Sequence, residues 1–120
     1  MRKRWALALF VLYAVMLLFL SLMSIGRVPS LGTSFDDKIG HFGAYFLFTL
    51  LIFNYLSALK IKRALFYAFI ISSTYGFIME LLQKLLTKGR EFDLYDALAN
   101  AFGAIIAVLF IILYRKLKLK

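Results

Sequence analysis

From Trp5 to Ile25 the chain carries no charged residue, and that run constrains the fold more than any other feature. A helix rises 1.5 Å per residue, so about 20 apolar residues cross the hydrocarbon core of a bilayer. Three more stretches have that length and character. One runs from about Ile39 to Leu59 and contains His41 and Asn54. Another runs from about Ala64 to Gln83 with Glu80, and the last from Leu94 to Tyr114 with Asp96 and Asn100. The expectation is an all-α membrane protein with four transmembrane helices in an antiparallel bundle. It forms a single domain over residues 1–120, with helices at about 5–25, 39–59, 64–86 and 94–114.

Composition agrees. The chain is 63% hydrophobic and only 18% charged, far from an ordinary soluble domain. A formal net charge of +9 raises the question of nucleic acid. The basic residues sit at the ends of apolar runs, however, where membrane topology explains them, so no nucleic-acid partner is expected. There is no cysteine, which removes disulfides, thiolate catalysis and thiolate metal sites. The first run, led by Arg2, Lys3 and Arg4, is too long for a signal peptide. No small-x-small cleavage site follows it before Arg27, so it reads as a retained helix.

The loops orient the chain. Arg2, Lys3, Arg4, Lys60, Lys62, Arg63, Arg115, Lys116, Lys118 and Lys120 put ten basic residues on one side. Arg27, Lys38, Lys84, Lys88 and Arg90 put five on the other. By the positive-inside rule both termini are cytoplasmic. All six acids (Asp36, Asp37, Glu80, Glu91, Asp93 and Asp96) fall on the outer side. Acids do little to set topology, so their segregation needs a separate reason.

Local signals mark the helix ends. Gly26, Pro29 and Gly32 break the chain after the first helix. Ser34 and Asp37 have capping-box-like spacing for the second, and Asp93 stands where it would cap the fourth. Lys60 to Arg63 is a tight hairpin that makes helices two and three antiparallel neighbours. Gly103, Ala104 and Ala107 give the fourth helix a small face for close packing.

Polar residues form one stripe on each of three helices. On the second, Asp37 and His41 lie within roughly 40° of each other, with Ala44 and Phe48 continuing the line. Ser73, Gly76, Glu80, Gln83 and Lys84 share a face of the third. Asp93, Asp96, Asn100 and Gly103 share one of the fourth. Each stripe lies in the outer part of its span, and the first helix has no ionisable group inside its apolar run. Turning the three stripes inward makes a polar pocket open to the outer surface. Simpler readings stand beside this one. Asp37 and Asp93 serve as helix caps, Arg90 as a loop partner, and Ser73 and Asn100 as interhelical hydrogen-bonding groups. Trp5, Tyr13, Tyr45, Tyr75 and Tyr95 are interface anchors or packing.

Three stretches carry a resemblance: Asp-Lys-Ile-Gly-His-Phe-Gly-Ala-Tyr-Phe (37–46), Glu-Leu-Leu-Gln (80–83) and Arg-Glu-Phe-Asp-Leu-Tyr-Asp-Ala-Leu-Ala-Asn-Ala-Phe-Gly-Ala (90–104). In order and spacing they resemble the VanZ-like family over roughly residues 36 to 107; the first helix matches only as an apolar segment. That family is named for a small bacterial membrane protein associated with teicoplanin resistance. The resemblance implies a bacterial cytoplasmic membrane, a link to the cell envelope and to glycopeptide susceptibility, and no settled reaction. Carried over, its motif positions are Asp37, Lys38, His41, Tyr45, Glu80, Gln83, Arg90, Asp93, Asp96, Asn100 and Gly103.

Three functional expectations follow. The leading one is an outer-leaflet pocket, lined by Asp37, Lys38, His41, Tyr45, Glu80, Gln83, Arg90, Asp93, Asp96 and Asn100, that binds a headgroup or amphiphile. Lys38 and Arg90 would meet an anionic group, and His41, Glu80 and Asp96 would form the floor. Its partners are membrane lipids, a lipid-linked envelope precursor or an amphiphilic antibiotic, and neither cofactor nor metal is called for. The second is an intramembrane enzyme using His41 and the carboxylates on a lipid-linked phosphate, although no His-Glu-x-x-His, nucleophile elbow or phosphate loop is present. The third is a small proton-coupled exporter, against which the first helix offers no carboxylate.

Overall fold

A computed structural model describes residues 2–23, 34–86 and 94–118. They form four helices, α1 (Arg2–Met23), α2 (Ser34–Ala58), α3 (Ala64–Leu86) and α4 (Leu94–Lys118). All four are long and apolar enough to cross a membrane, which makes the chain a multi-pass membrane protein by length and composition. The body measures 50 × 27 × 20 Å, and its long axis exceeds the roughly 40–45 Å of a full bilayer. Helix α2 starts at Ser34, several residues ahead of the expected Ile39. Helix α4 runs on past Tyr114 through Arg115, Lys116 and Lys118, cations that favour a helix C-terminus.

Successive helices run in opposite directions. Arg2 Nη2 donates to Asn54 Oδ1 at 3.3 Å and the Tyr13 hydroxyl donates to the Ala44 carbonyl at 2.6 Å, so α1 and α2 are antiparallel. Helices α2 and α4 are parallel, with Phe42 against Phe102 and Phe46 against Phe110. This parallel pair makes the most extensive contact in the fold, and α1 touches α2 and α3 but not α4. The result is a triangle of α2, α3 and α4 with α1 laid against one side.

The α2–α3 hairpin closes in a Schellman motif. Lys60 N–H donates to the Ser57 carbonyl at 2.9 Å and Ile61 N–H to the Leu56 carbonyl at 3.2 Å. Lys60 takes the left-handed conformation this requires, with φ 59°. Ile61 packs on the cluster that contains Leu56, the apolar contact typical of the motif.

Inside, Phe48 and Ile52 are fully buried beside Leu17, Tyr45, Leu56, Ala64 and Ala68. Outside, Leu12, Phe19, Phe66, Phe102, Leu109 and Leu117 are exposed, as residues facing lipid must be. Gly103 seats α4 on α2, and Ala104 and Ala107 are fully buried. A Cβ at Gly103 would overlap the Phe42 carbonyl oxygen and stand 3.2 Å from the Phe46 nitrogen.

Candidate functional site

Helix α2 places His41, Tyr45 and Thr49 one turn apart on one face, turned toward α3 and α4. His41 Nδ1–H donates to Asn100 Oδ1 at 3.1 Å, which joins α2 to α4 and fixes the tautomer for that amide orientation. Gly76 brings in α3. A Cβ there would lie 2.8 Å from Asn100 Nδ2 and 3.1 Å from Tyr45 Cε2, so the three helices meet at this level because Gly76 has no side chain.

Tyr45, Glu80 and Asn100 are each at most 2% exposed; His41 is half-buried. Glu80 lies one turn beyond Gly76, within electrostatic reach of Tyr45. Two hydroxyls here, Tyr45 Oη and Ser73 Oγ, are buried and have no hydrogen-bond partner among the described residues. Buried hydroxyls are ordinarily satisfied, so the Tyr45 hydroxyl at the junction marks a place for a bound polar group or water.

The described structure therefore brings together His41, Tyr45, Glu80 and Asn100 of the ten expected pocket residues. Asp37 and Lys38 fall in the opening turns of α2, Gln83 near the end of α3 and Asp96 in the first turn of α4. Their side chains lie outside the described part of the structure, as do residues Arg90 and Asp93 altogether. Among the described residues no three His, Cys, Asp or Glu side chains are grouped as metal ligands.

The polar layer also goes deeper than its stripes predicted. The Thr49 hydroxyl donates to the Tyr45 carbonyl at 2.7 Å, and the Thr49 and Ser72 hydroxyls pair at 2.8 Å, both residues fully buried. Sequence reading followed Ala44 and Phe48 down α2 and so missed Thr49. The available signal was its position two turns after His41. Two of the aromatics are packing devices with a polar end. Tyr75 donates to the Ala14 carbonyl and Tyr13 to that of Ala44, pinning α1 to α3 and α2. Trp5 and Tyr95 are exposed.

Comparison with known proteins brings out one relative, the fission-yeast (Schizosaccharomyces pombe) protein described as "Uncharacterized protein C11E3.10". It is 34% identical over 119 residues, covering 98% of this chain and 69% of the relative. The chain belongs to the family of C11E3.10. No family model matches, and no solved structure matches.

These findings correct the VanZ-like resemblance. The C11E3.10 kinship extends over nearly the whole chain, first helix included, whereas the resemblance rested on three short motifs. Several of those motif positions, His41, Gln83, Asn100 and Gly103, are residue types that close interhelical contacts in membranes use widely. With the resemblance go the expectations drawn from it: the bacterial cytoplasmic membrane, the envelope precursor and the glycopeptide antibiotic. The C11E3.10 relative is eukaryotic.

Proposed function

We propose that this protein is a membrane-embedded binding protein whose α2–α3–α4 junction holds the polar headgroup of an amphiphile. The Tyr45 hydroxyl carries the reading: it is buried, unpartnered among the described residues, and one helical turn from both His41 and Thr49. A ligand hydroxyl or phosphate oxygen would complete its hydrogen bonding, with Glu80, His41 and Asn100 supplying further donors and acceptors. Lys38 and Arg90 would complement an anionic group at the entrance.

Both termini are cytoplasmic in this proposal, and the junction opens to the opposite side. Support comes from the charge distribution. Arg2 reaches Asn54 at the end of α2, and Arg115 stands 5.0 Å over the Phe53 ring. Three basic segments thus gather at one end of the bundle, and the buried Glu80 lies toward the other.

A test uses the full chain in detergent, with melting followed as amphiphiles of graded headgroup are added. Sugar-hydroxyl and phosphate headgroups should raise the Tm of the wild type and leave that of Tyr45→Phe unmoved. Without ligand, Tyr45→Phe should be at least as stable as wild type, since it deletes an orphaned hydroxyl. Equal responses in wild type, Tyr45→Phe and Glu80→Gln would end the proposal.

One feature favours a second reading, acid–base chemistry on a lipid-linked phosphate. Asn100 holds the His41 ring in one tautomer, as catalytic imidazoles are held. Phosphate release from a polyprenyl phosphate substrate, lost in His41→Gln, would establish it. Proton-coupled export draws no comparable support. Beyond the Thr49–Ser72 pair, toward the basic end, the hydrophobic core continues through Ile52, Leu56, Ala64 and Ala68.

A further inference from the structure

Helices α3 and α4 meet tightly at Gly76 and Asn100, and nearer the basic end of the bundle a groove lies between them. Leu65, Phe66 and Phe69 of α3 face Ile105, Val108 and Leu109 of α4 across a wholly apolar groove of about 420 Å³. That volume is within the range of about 300–1,000 Å³ typical of small-molecule sites. Basic residues follow the groove lining along both helices toward this end. Lys62 and Arg63 immediately precede α3 and are exposed. On α4, Ile105, Leu109 and Lys116 fall within about 40° of one another at about 100° per residue, so the lining stripe leads to an exposed ammonium. No acidic residue occurs at this end of the described chain.

We infer that the α3–α4 groove is a binding site for an anionic phospholipid. One acyl chain lies between Phe66 and Leu109, and the phosphate is held by Lys62, Arg63 and Lys116. Lipid tails gain nothing hydrophobic by moving from bilayer to protein. A concave apolar groove retains a chain by van der Waals contact on several sides, and the cations then select the headgroup. The site is distinct from the Tyr45 junction, which lies at the opposite end of the α3–α4 contact.

The experiment is native mass spectrometry of the full chain, titrated with dioleoylphosphatidylserine or dioleoylphosphatidylcholine. Each cation near an anionic headgroup is worth about fivefold in affinity. The wild type should retain one phosphatidylserine at least about tenfold more tightly than phosphatidylcholine. The Lys62→Gln/Arg63→Gln/Lys116→Gln variant should lose that preference. Lys3→Gln/Arg4→Gln/Lys118→Gln, which removes equal charge away from the groove, should keep it. Val108→Trp, filling the groove, should release both lipids while its helical circular dichroism matches wild type. Should it fail to fold, Leu65→Ala/Leu109→Ala is the alternative, expected to weaken both lipids alike.

Equal loss of preference in the two charge variants would show only general surface attraction and overturn the site. A lipid-free mass of two chains would overturn it too, by assigning the groove to a second copy. No preference in the wild type has the same force.

Discussion

Asn100 on α4 accepts a hydrogen bond from His41 on α2 at 3.1 Å, across 59 residues of sequence. The two helices it joins are parallel and make the most extensive contact in the fold. Interhelical hydrogen bonds in membranes average about 0.6 kcal/mol and reach about 1.7. A double-mutant cycle on His41→Ala and Asn100→Ala, followed by unfolding in mixed micelles, should give a coupling of about 1 kcal/mol. Full additivity would mean that the pair contributes nothing to the α2–α4 contact.

The two buried glycines should differ in their tolerance of a methyl group. At Gly103 the obstacle is the Phe42 backbone, which cannot turn aside; at Gly76 it is the Asn100 and Tyr45 side chains. Gly103→Ala is expected to cost about 3 kcal/mol, and Gly76→Ala about 1–2 after small side-chain shifts. Thermal unfolding of the two variants in one detergent checks the order.

Lys60 bears the left-handed backbone of the hairpin, with φ 59°. Glycine adopts that conformation freely, whereas a β-branched residue resists it. Lys60→Gly should therefore match or exceed the wild-type Tm, while Lys60→Val loses about 1–2 kcal/mol. A loop insensitive to both changes would not be closed by the Schellman bonds.

Helix α1 is attached chiefly through α2, by Phe10 and Tyr13 against Phe48, and through two tyrosine hydroxyls that reach Ala44 and Ala14. Removing both hydroxyls in Tyr13→Phe/Tyr75→Phe should cost about 1–3 kcal/mol, the sum of two modest hydrogen bonds. Hydrogen exchange should accelerate in α1 before it does in α4. Uniform acceleration over all four helices would argue against a separately attached α1.

Helix number, approximate ends and the residue types of the polar junction were legible in the sequence because they depend on local properties. A run of about 20 apolar residues partitions into lipid whatever surrounds it. The Lys60–Arg63 turn and the basic end of α4 mark boundaries through short-range chemistry. A shared polar layer of His41, Glu80 and Asn100 is expected because polar groups at 3.6-residue spacing avoid lipid together. Tyr45, by contrast, lies outside the α2 stripe and reads from its residue type as anchor or packing. Thr49 and Ser72 were not expected, because a hydroxyl satisfied at its own helix can face either way.

The polar junction thus originates in the sequence, and its geometry in the fold. Sequence alone determined that four apolar segments exist and that the polar residues of three share a face. Only the tertiary structure decided that α2 and α4, not chain neighbours, form the main contact, that α1 stays outside the triangle, and that Tyr45 has a buried hydroxyl with no partner among the described residues. Lipid tails are as apolar as leucine, so hydrophobic burial does not select partners within the bilayer. The selection falls to steric fit at Gly76 and Gly103 and to single hydrogen bonds such as His41–Asn100. Those contacts depend on atoms brought together across the whole chain.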